Sequence, residues 1–325
     1  MASVSKSWVQ SQSVSDGGYA SFLHQLDART LLCCDDNRIQ TMDMVTGELF
    51  RSITISDIKD ARIRSAVFDS HANELLTHTW SRQLPKDTIQ FWNFGMNTCT
   101  RTLDCVSKSG LEHAPVEDMA LKGRNLFYAR HQSVVTWDLQ RNQVINEFEQ
   151  KEGIVRSLAF ADNKLISGSG LVEGALSTGS IYCRDLATQT GTVVCKDMAV
   201  NTLVVDGSSL VAGTTQHGVR IWDIRSLQSS ITLAVATPDI GAVLVHRDKI
   251  FVASYSRQEV QIWDQRNPYI AEQTLSTLHA PVTLTRFQFD VLVGLDKNGS
   301  EAKGPSILRY TEGTSARQKK ECVLM

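Results

Sequence analysis

An apolar strand that ends in Trp-Asp recurs along the chain, and this repeat constrains the fold more than any other feature. Three copies are clear: VVTWDL at 134–139, VRIWDI at 219–224 and VQIWDQ at 260–265. Weaker copies lie at 39–44, 89–94, 181–186 and 307–312. Successive copies are 38 to 50 residues apart, and such spacing is typical of units built from four short strands. The repeat therefore predicts an all-β, seven-bladed β-propeller.

The chain between the copies divides into short β-rich runs separated by Gly, Asp, Asn and Ser turns. The predicted blades cover 18–54, 62–105, 114–149, 154–196, 198–235, 240–276 and 281–311. The last blade lacks one strand, whereas SKSWVQSQSV at 5–14 has no assignment. We expect this N-terminal segment to form the outer strand of blade seven, with Trp8 and Val9 packed there, because closure removes open sheet edges. The alternative is a disordered N-terminus. Residues 1–311 would then be one domain, and 312–325 a flexible basic tail.

The Trp-Asp pairs carry a resemblance to a known family. They are Trp137-Asp138, Trp222-Asp223 and Trp263-Asp264. With them the chain resembles the WD40-repeat family over nearly its whole length. The resemblance implies four strands, a to d, per blade and a hydrogen-bonded network of corner His, strand-b Ser or Thr, strand-c Trp and b-to-c Asp. Few blades here have these residues, so we expect the network in one or two blades only. The fold hosts many roles, so the resemblance alone does not choose one.

Charge and composition argue against several classes of function. There are 33 Lys and Arg against 35 Asp and Glu, interspersed along the chain, so no basic footprint for nucleic acid is present. Seven cysteines include no CxxC pair, and eight histidines show no ligand spacing. No nucleophile elbow or phosphate loop is recognisable. We expect a non-enzyme without cofactor or metal, cytoplasmic because no secretory segment is recognisable.

Three loops are longer than a blade requires: 80–87, 169–179 and 295–306. All are predicted to join strand b to strand c, on the face that also bears the d-to-a corners. Binding residues concentrate on loops held by a rigid scaffold. We therefore expect protein partners to bind this loop-rich face, with the chain a monomeric subunit of a complex. Neutral insertion is the alternative.

Two adjacent blades contain the sequence WDxR, which ends at Arg225 and at Arg266. This resembles the motif of WD-repeat substrate receptors of cullin-RING ubiquitin ligases. The resemblance implies that both arginines contact a ligase adaptor through forked hydrogen bonds. An exposed turn arginine without a partner is the alternative.

The C-terminus is Cys322-Val-Leu-Met, preceded by the basic residues Arg317, Lys319 and Lys320. It looks like a CaaX prenylation signal, with Met favouring farnesyl. The resemblance implies a lipidated, methylated Cys322 after loss of the last three residues. One lipid chain binds membranes only marginally, and nearby bases strengthen the attachment. We expect a scaffold held peripherally at a membrane, with its loop-rich face toward the cytosol. An unmodified tail is the alternative.

Overall fold

The computed structural model describes fifteen stretches of the chain. They are residues 6–15, 20–35, 37–55, 58, 61–81, 87–93, 95–105, 115–170, 179–216, 218–233, 235, 239–277, 279–288, 290–296 and 306–314. Every regular element in these stretches is a β-strand. They contain no helix of the length and apolarity that crossing a membrane requires.

Twenty-eight strands form seven antiparallel sheets of four strands each. Blade one contains β2 (Ala20–Gln25), β3 (Thr30–Asp35), β4 (Arg38–Asp43) and β5 (Leu49–Thr54). Blade two contains β6 (Arg62–Asp69), β7 (Glu74–Trp80), β8 (Thr88–Asn93) and β9 (Thr98–Asp104). Blade three contains β10 (Val116–Lys122), β11 (Asn125–Arg130), β12 (Ser133–Asp138) and β13 (Gln143–Glu149). Blade four contains β14 (Ile154–Ala161), β15 (Lys164–Gly170), β16 (Ser180–Asp185) and β17 (Gly191–Lys196).

The remaining blades repeat this order, which gives strands a to d in each sheet. Blade five contains β18 (Val200–Asp206), β19 (Ser209–Thr214), β20 (Val219–Asp223) and β21 (Ser229–Leu233). Blade six contains β22 (Ile240–His246), β23 (Lys249–Ser254), β24 (Glu259–Asp264) and β25 (Gln273–Ser276). Blade seven contains β26 (Ala280–Phe287), β27 (Asp290–Asp296), β28 (Ser306–Thr314) and β1 (Lys6–Ser15). The predicted all-β, seven-bladed fold is confirmed.

The N-terminal strand β1 completes blade seven. It pairs antiparallel with β28 from Lys6 opposite Thr314 to Ser15 opposite Ile307. The predicted contribution of the N-terminal segment is therefore confirmed, whereas the expected packing of Trp8 and Val9 concerns side chains outside the described part. The predicted boundary at residue 311 falls inside β28, which continues to Thr314.

The chain divides into two compact units. The first unit consists of Met1–Ile55 and Leu244–Met325, and the second of Ser56–Val243. In the first, β2 packs against β26 and β27. In the second, β10 packs against β6 and β14, and β15 packs against β18.

Strand b is the most buried strand of a blade because adjacent blades pack against it. β15, β19 and β23 are buried at every residue after the first. In the second unit, two of these positions leave no room for a side chain. A Cβ on Gly168 would lie 2.6 Å from a methyl group of Val200, and one on Gly213 would lie 2.6 Å from a methyl group of Ile240. These glycines permit close packing of successive blades.

Strand a begins with a β-bulge in six blades. The register shifts at the second or third residue of β2, β6, β10, β14, β18 and β26. In the second unit, the residue after the bulge connects neighbouring blades. Asp118 accepts a hydrogen bond from the Leu158 N–H (2.7 Å), and Ser157 accepts one from the Leu203 N–H (3.0 Å). Bulges re-aim side chains, and here they join blades three, four and five.

Candidate partner-binding surfaces

The Asp of each Trp-Asp pair caps the turn between strands c and d. In blades three and five, the carboxylates of Asp138 and Asp223 accept hydrogen bonds from the N–H groups two and three residues later, at 2.8 to 3.0 Å. These backbone donors hold the pKa of both carboxyls below the usual range. Asp185 makes the same turn after Arg184. The Asp therefore fixes the turn whether or not Trp precedes it.

The hydrogen bonding of the repeat Trp differs among the blades. In blade two, the buried Trp92 Nε1–H donates to Thr77 Oγ1 at 3.0 Å. In two of the clearer copies, the buried indole nitrogens of Trp137 and Trp263 have no hydrogen-bond partner. In blades three and six, the strand-b position that corresponds to Thr77 is occupied by Tyr128 and Val252, respectively. A complete Trp-Asp pair thus indicates a turn between strands c and d. It does not ensure that the Trp nitrogen is hydrogen-bonded to strand b.

A buried glutamine organises the corner between blades three and four. Gln150 is 2% exposed and lies directly after β13. Its Oε1 accepts a hydrogen bond from Ser167 Oγ at 2.7 Å. Its Nε2 lies 3.0 Å from Ser169 Oγ and 3.1 Å from both the carbonyl oxygen and the hydroxyl of Ser180. One amide thereby joins strands b and c of blade four to the corner.

An ionic cluster fills the corresponding region of blades two and three. Asp87 precedes β8, and its carboxylate lies 3.3 Å from the guanidinium of Arg130 on β11. Arg130 also donates to the carbonyl oxygen of Cys105, at 2.8 Å. His78 occupies the strand-b position that is Gly168 in blade four, and its ring lies 3.7 Å from Asp87, beyond hydrogen-bond length. Burial lowers the pKa of His78, which keeps the imidazole neutral near pH 7.

Sequence reasoning missed both of these clusters. Gln150 carries no recognised motif, and Arg130 reaches Asp87 across 43 residues of sequence. The only available signals were a glutamine at a d-to-a corner and an aspartate immediately before strand c. Neither signal names its partner.

The three long loops lie mainly outside the described residues, which omit 82–86, 171–178 and 297–305. The described ends of two of these loops form an ion pair or hydrogen bonds with neighbouring strands and corners. Asp87 at the end of the first loop belongs to the ionic cluster, and Ser169 at the start of the second bonds to Gln150. At the end of the second loop, the carbonyl of Gly179 accepts the Met198 N–H at 3.0 Å. The loop-rich face therefore has a rigid base in the second unit.

The two WDxR arginines lie on exposed c-to-d turns. The N–H of Arg225 donates to Asp223 at 3.0 Å, and that of Arg266 donates to Asp264 at 2.7 Å. Both side chains are exposed. Arg225 belongs to the second unit and Arg266 to the first. Each arginine is thus available to a partner, on a turn fixed by its own motif.

The predicted lipidation site, Cys322, and the basic residues Arg317, Lys319 and Lys320 lie outside the described residues. The six cysteines within them form no disulfide, and four are buried: Cys33, Cys34, Cys105 and Cys183. Burial raises the pKa of Cys105 to about 12, so this thiol is a poor nucleophile. No group of three His, Cys, Asp or Glu side chains in the described stretches could hold a metal ion.

Comparison with known proteins agrees with this architecture. No protein-family model matches the chain. Transducin beta-like protein 3 of Bos taurus is 26% identical over 228 residues, and the Rattus norvegicus protein of that name is 25% identical over 228 residues. Both matches cover 68% of this chain but only 27% of the relative, so the chain spans about a quarter of those proteins.

Among solved structures, the fold is similar to the crystal structure of the computationally designed Ika8 protein. The TM-score is 0.66 at 15% identity, over 93% of this chain and 99% of Ika8. Such low identity indicates a shared fold and carries no information on function. With seven four-stranded sheets and the Trp-Asp turns, the chain is a WD40-like seven-bladed β-propeller.

Proposed function

We propose that this chain is a non-catalytic scaffold that binds protein partners through its loop-rich face. The observation that carries the proposal is the buried polar base beneath the long b-to-c loops. Gln150 and the Asp87–Arg130 pair hold loop ends to neighbouring strands. Buried, satisfied networks fix geometry, and a rigid base reduces the entropy that a binding loop loses when a partner docks.

Replacement of 171–178 by a Gly-Ser segment of equal length tests the partner surface. The substitution leaves the Gln150 network intact, so the fold should persist while loop-dependent partners are lost. The measurement is quantitative comparison of proteins that co-purify with each form from its native cell. A control replaces the exposed c-to-d turn residues 187–189. An unchanged partner set after loop replacement would contradict the loop-rich face as the binding surface.

The second part of the proposal is a farnesyl tether at Cys322. Its support is the terminal sequence Cys-Val-Leu-Met with three nearby bases. Seven residues separate the end of β28 from this cysteine. Such a spacer spans about 15 Å as a flexible chain, so the lipid would hold the propeller close to the bilayer.

Intact mass of the protein from its native cell tests the tether directly. We expect the mass of farnesyl plus methyl and the loss of residues 323–325. Cys322→Ser should move the protein from the membrane fraction to the soluble fraction. Cys99→Ser, at an exposed cysteine of blade two, is the matched control and should leave the distribution unchanged. An unmodified C-terminus would refute the tether and leave the scaffold proposal standing.

A second candidate function is that of a substrate receptor of a cullin-RING ubiquitin ligase. The exposure of Arg225 and Arg266 on capped turns favours it. The Arg225→Ala/Arg266→Ala double variant should lose co-purification of a ligase adaptor. Arg141→Ala is the control, because this exposed arginine lies on the c-to-d turn of blade three outside a WDxR sequence. Adaptor binding that survives in the double variant would exclude the motif.

A further inference from the structure

Large apolar side chains are exposed at the c-to-d end of two blades of the first unit. Tyr269 is 78% exposed and Ile270 is 69% exposed in blade six. Val45 is 71% exposed and Phe50 is 57% exposed in blade one. These four residues, with the half-exposed Leu49, are called here the apolar turn surface. Large apolar side chains that are exposed at one end of a unit indicate a candidate protein or membrane contact.

Local backbone structure creates this exposure. Thr41 pairs with Arg51 and Met42 pairs with Leu49, so Phe50 bulges from the ladder of blade one. In blade six, eight residues separate β24 from β25, against five between β20 and β21 in blade five. Tyr269 and Ile270 lie in that longer turn. The bulge at Phe50 and the longer turn of blade six both place apolar side chains in solvent, outside the packed core of their blades.

The apolar turn surface lies at the end of the first unit where the chain leaves blade seven. Arg309 of β28 donates to the carbonyl of Met44, the neighbour of Val45, at 3.2 Å. In blade six, the Gln265 N–H donates to the Asp248 carbonyl at 3.0 Å, which places the long turn beside the a-to-b turn. β23 of that blade packs against β26 of blade seven. Because the blades repeat one strand order, these turns share one end of the unit.

Strand β28 does not turn at this end. Tyr310 occupies the Trp position, and the strand continues through Thr314, paired with β1 from Lys6 onward. Three residue pairs of β28 and β1 thus lie beyond the position that corresponds to the Asp of the repeat. They extend the strand by about 10 Å. The tail that contains Cys322 therefore begins on the same side as the apolar turn surface.

We propose that the apolar turn surface docks on a lipid bilayer as a second contact beside the C-terminal lipid. The proposal rests on the farnesyl tether proposed above. One prenyl chain alone binds membranes marginally, so stable attachment needs a second contribution. Tyr269 has an aromatic ring that suits the membrane–water interface, and the exposed Arg266 nearby favours anionic lipid headgroups. Val45, Phe50 and Ile270 provide apolar insertion.

Vesicle sedimentation of the farnesylated full chain tests this contact, with vesicles of phosphatidylcholine and phosphatidylserine. Tyr269→Ser/Ile270→Ser should weaken binding about tenfold, the loss expected from partial burial of two such side chains. Tyr255→Ser is the matched control, because Tyr255 is a 42% exposed aromatic on the b-to-c turn of the same blade. It should bind as the parent does. Equal binding by the double variant and the parent would overturn the proposal.

Attachment of the protein to vesicles without farnesyl allows the docking of the apolar turn surface to be tested independently of the farnesyl tether at Cys322. Residues 322–325 are replaced by a hexahistidine tag, and the protein is held on vesicles that contain a nickel-chelating lipid. In a Cys99→Ser background, an environment-sensitive fluorophore at Ile270→Cys should shift to the blue, whereas the same probe at Tyr255→Cys should not. A blue shift together with an unfarnesylated native protein would refute the tether alone. No shift at residue 270 would overturn the docking surface even where the native mass confirms the lipid.

Discussion

Single buried polar side chains determine how the corners of this propeller are held. Gln150 stands where the WD40 pattern would use a corner histidine, and its amide joins three serines of blade four: Ser167, Ser169 and Ser180. An amide both donates and accepts without a change of charge. The corner is therefore insensitive to pH in the range where a histidine would titrate.

Gln150→Ala should destabilise the protein by about 2–4 kcal/mol, because three buried hydroxyls lose their shared partner and a cavity remains. The measurement is the free energy of unfolding from urea titration. Gln132→Ala is the control, because the side-chain amide of this partly exposed glutamine donates to the Lys151 carbonyl at 3.4 Å and the substitution leaves its main-chain carbonyl in place. A loss as small as the control's would show that the network adds little to stability.

We expect Asp118 to make the joint between blades three and four sensitive to pH. The residue is half-buried where β10 meets β14. Burial raises the pKa of this carboxyl to about 7, despite hydrogen bonds from the Leu158 and Met119 N–H groups. In the unfolded chain, the group titrates near 3.8. At pH values between 3.8 and about 7, the folded state therefore binds the proton on this carboxyl more tightly than the unfolded state does.

Asp118 should therefore make the protein less stable as pH rises from about 4 to about 7, by at most ~1.4 kcal/mol per pH unit, with no further loss above pH 7. Asp118→Asn removes the titration, so its stability should depend less on pH over that window. Unfolding in urea at pH 5, 6, 7 and 8 measures the difference. Asp162→Asn, at an exposed turn, provides the reference. Parallel pH profiles for Asp118→Asn and the parent would refute this role.

At the scale of strands, hydrogen bonds from strand c to strand b differ among the blades. Blade two has the Trp92–Thr77 bond, whereas blade six leaves the Trp263 nitrogen buried and unpartnered, with Val252 at the strand-b position that corresponds to Thr77. Valine and threonine have nearly the same shape. Exchange between them therefore probes the bond with little change in packing.

Thr77→Val should cost about 1 kcal/mol by leaving the Trp92 donor unpaired, and Val252→Thr should be neutral or stabilising by about 0.5 kcal/mol. Thermal unfolding of both variants and the parent provides the comparison. Destabilisation by Val252→Thr as large as that by Thr77→Val would show that hydroxyl burial outweighs the new bond in blade six.

Strand β1 protects the edge of β28 in blade seven. Deletion of residues 1–15 would expose that edge, and exposed edges recruit other strands. We expect a lower Tm and concentration-dependent association, measured by calorimetry and light scattering. Deletion of residues 1–5 is the control, since it leaves the pairs from Lys6 onward in place. A monomeric 16–325 chain with the parent's Tm would contradict the closing role of β1.

At the scale of the whole molecule, the blades were predictable because each repeats a local pattern. Turn residues and apolar runs located every sheet, and the surplus segment 5–14 identified the missing strand. The polar clusters were not predictable, because Arg130 and Asp87 come from different blades and only three-dimensional packing brings them together. The Trp-Asp pairs likewise located the turns but not the hydrogen bonds of Trp137 and Trp263.

The pairing of β1 with β28 has a consequence for synthesis on the ribosome. The second unit, Ser56–Val243, is one uninterrupted segment, so all of its strands emerge in succession. Strand β1 emerges first but finds its native partner only after Thr314 has been made. At ordinary elongation rates, the 299 residues that follow Ser15, up to and including Thr314, take roughly 15 to 60 seconds to synthesise. During that interval the main-chain groups of β1 have no native sheet partner, so we expect chaperones to bind β1 while synthesis continues.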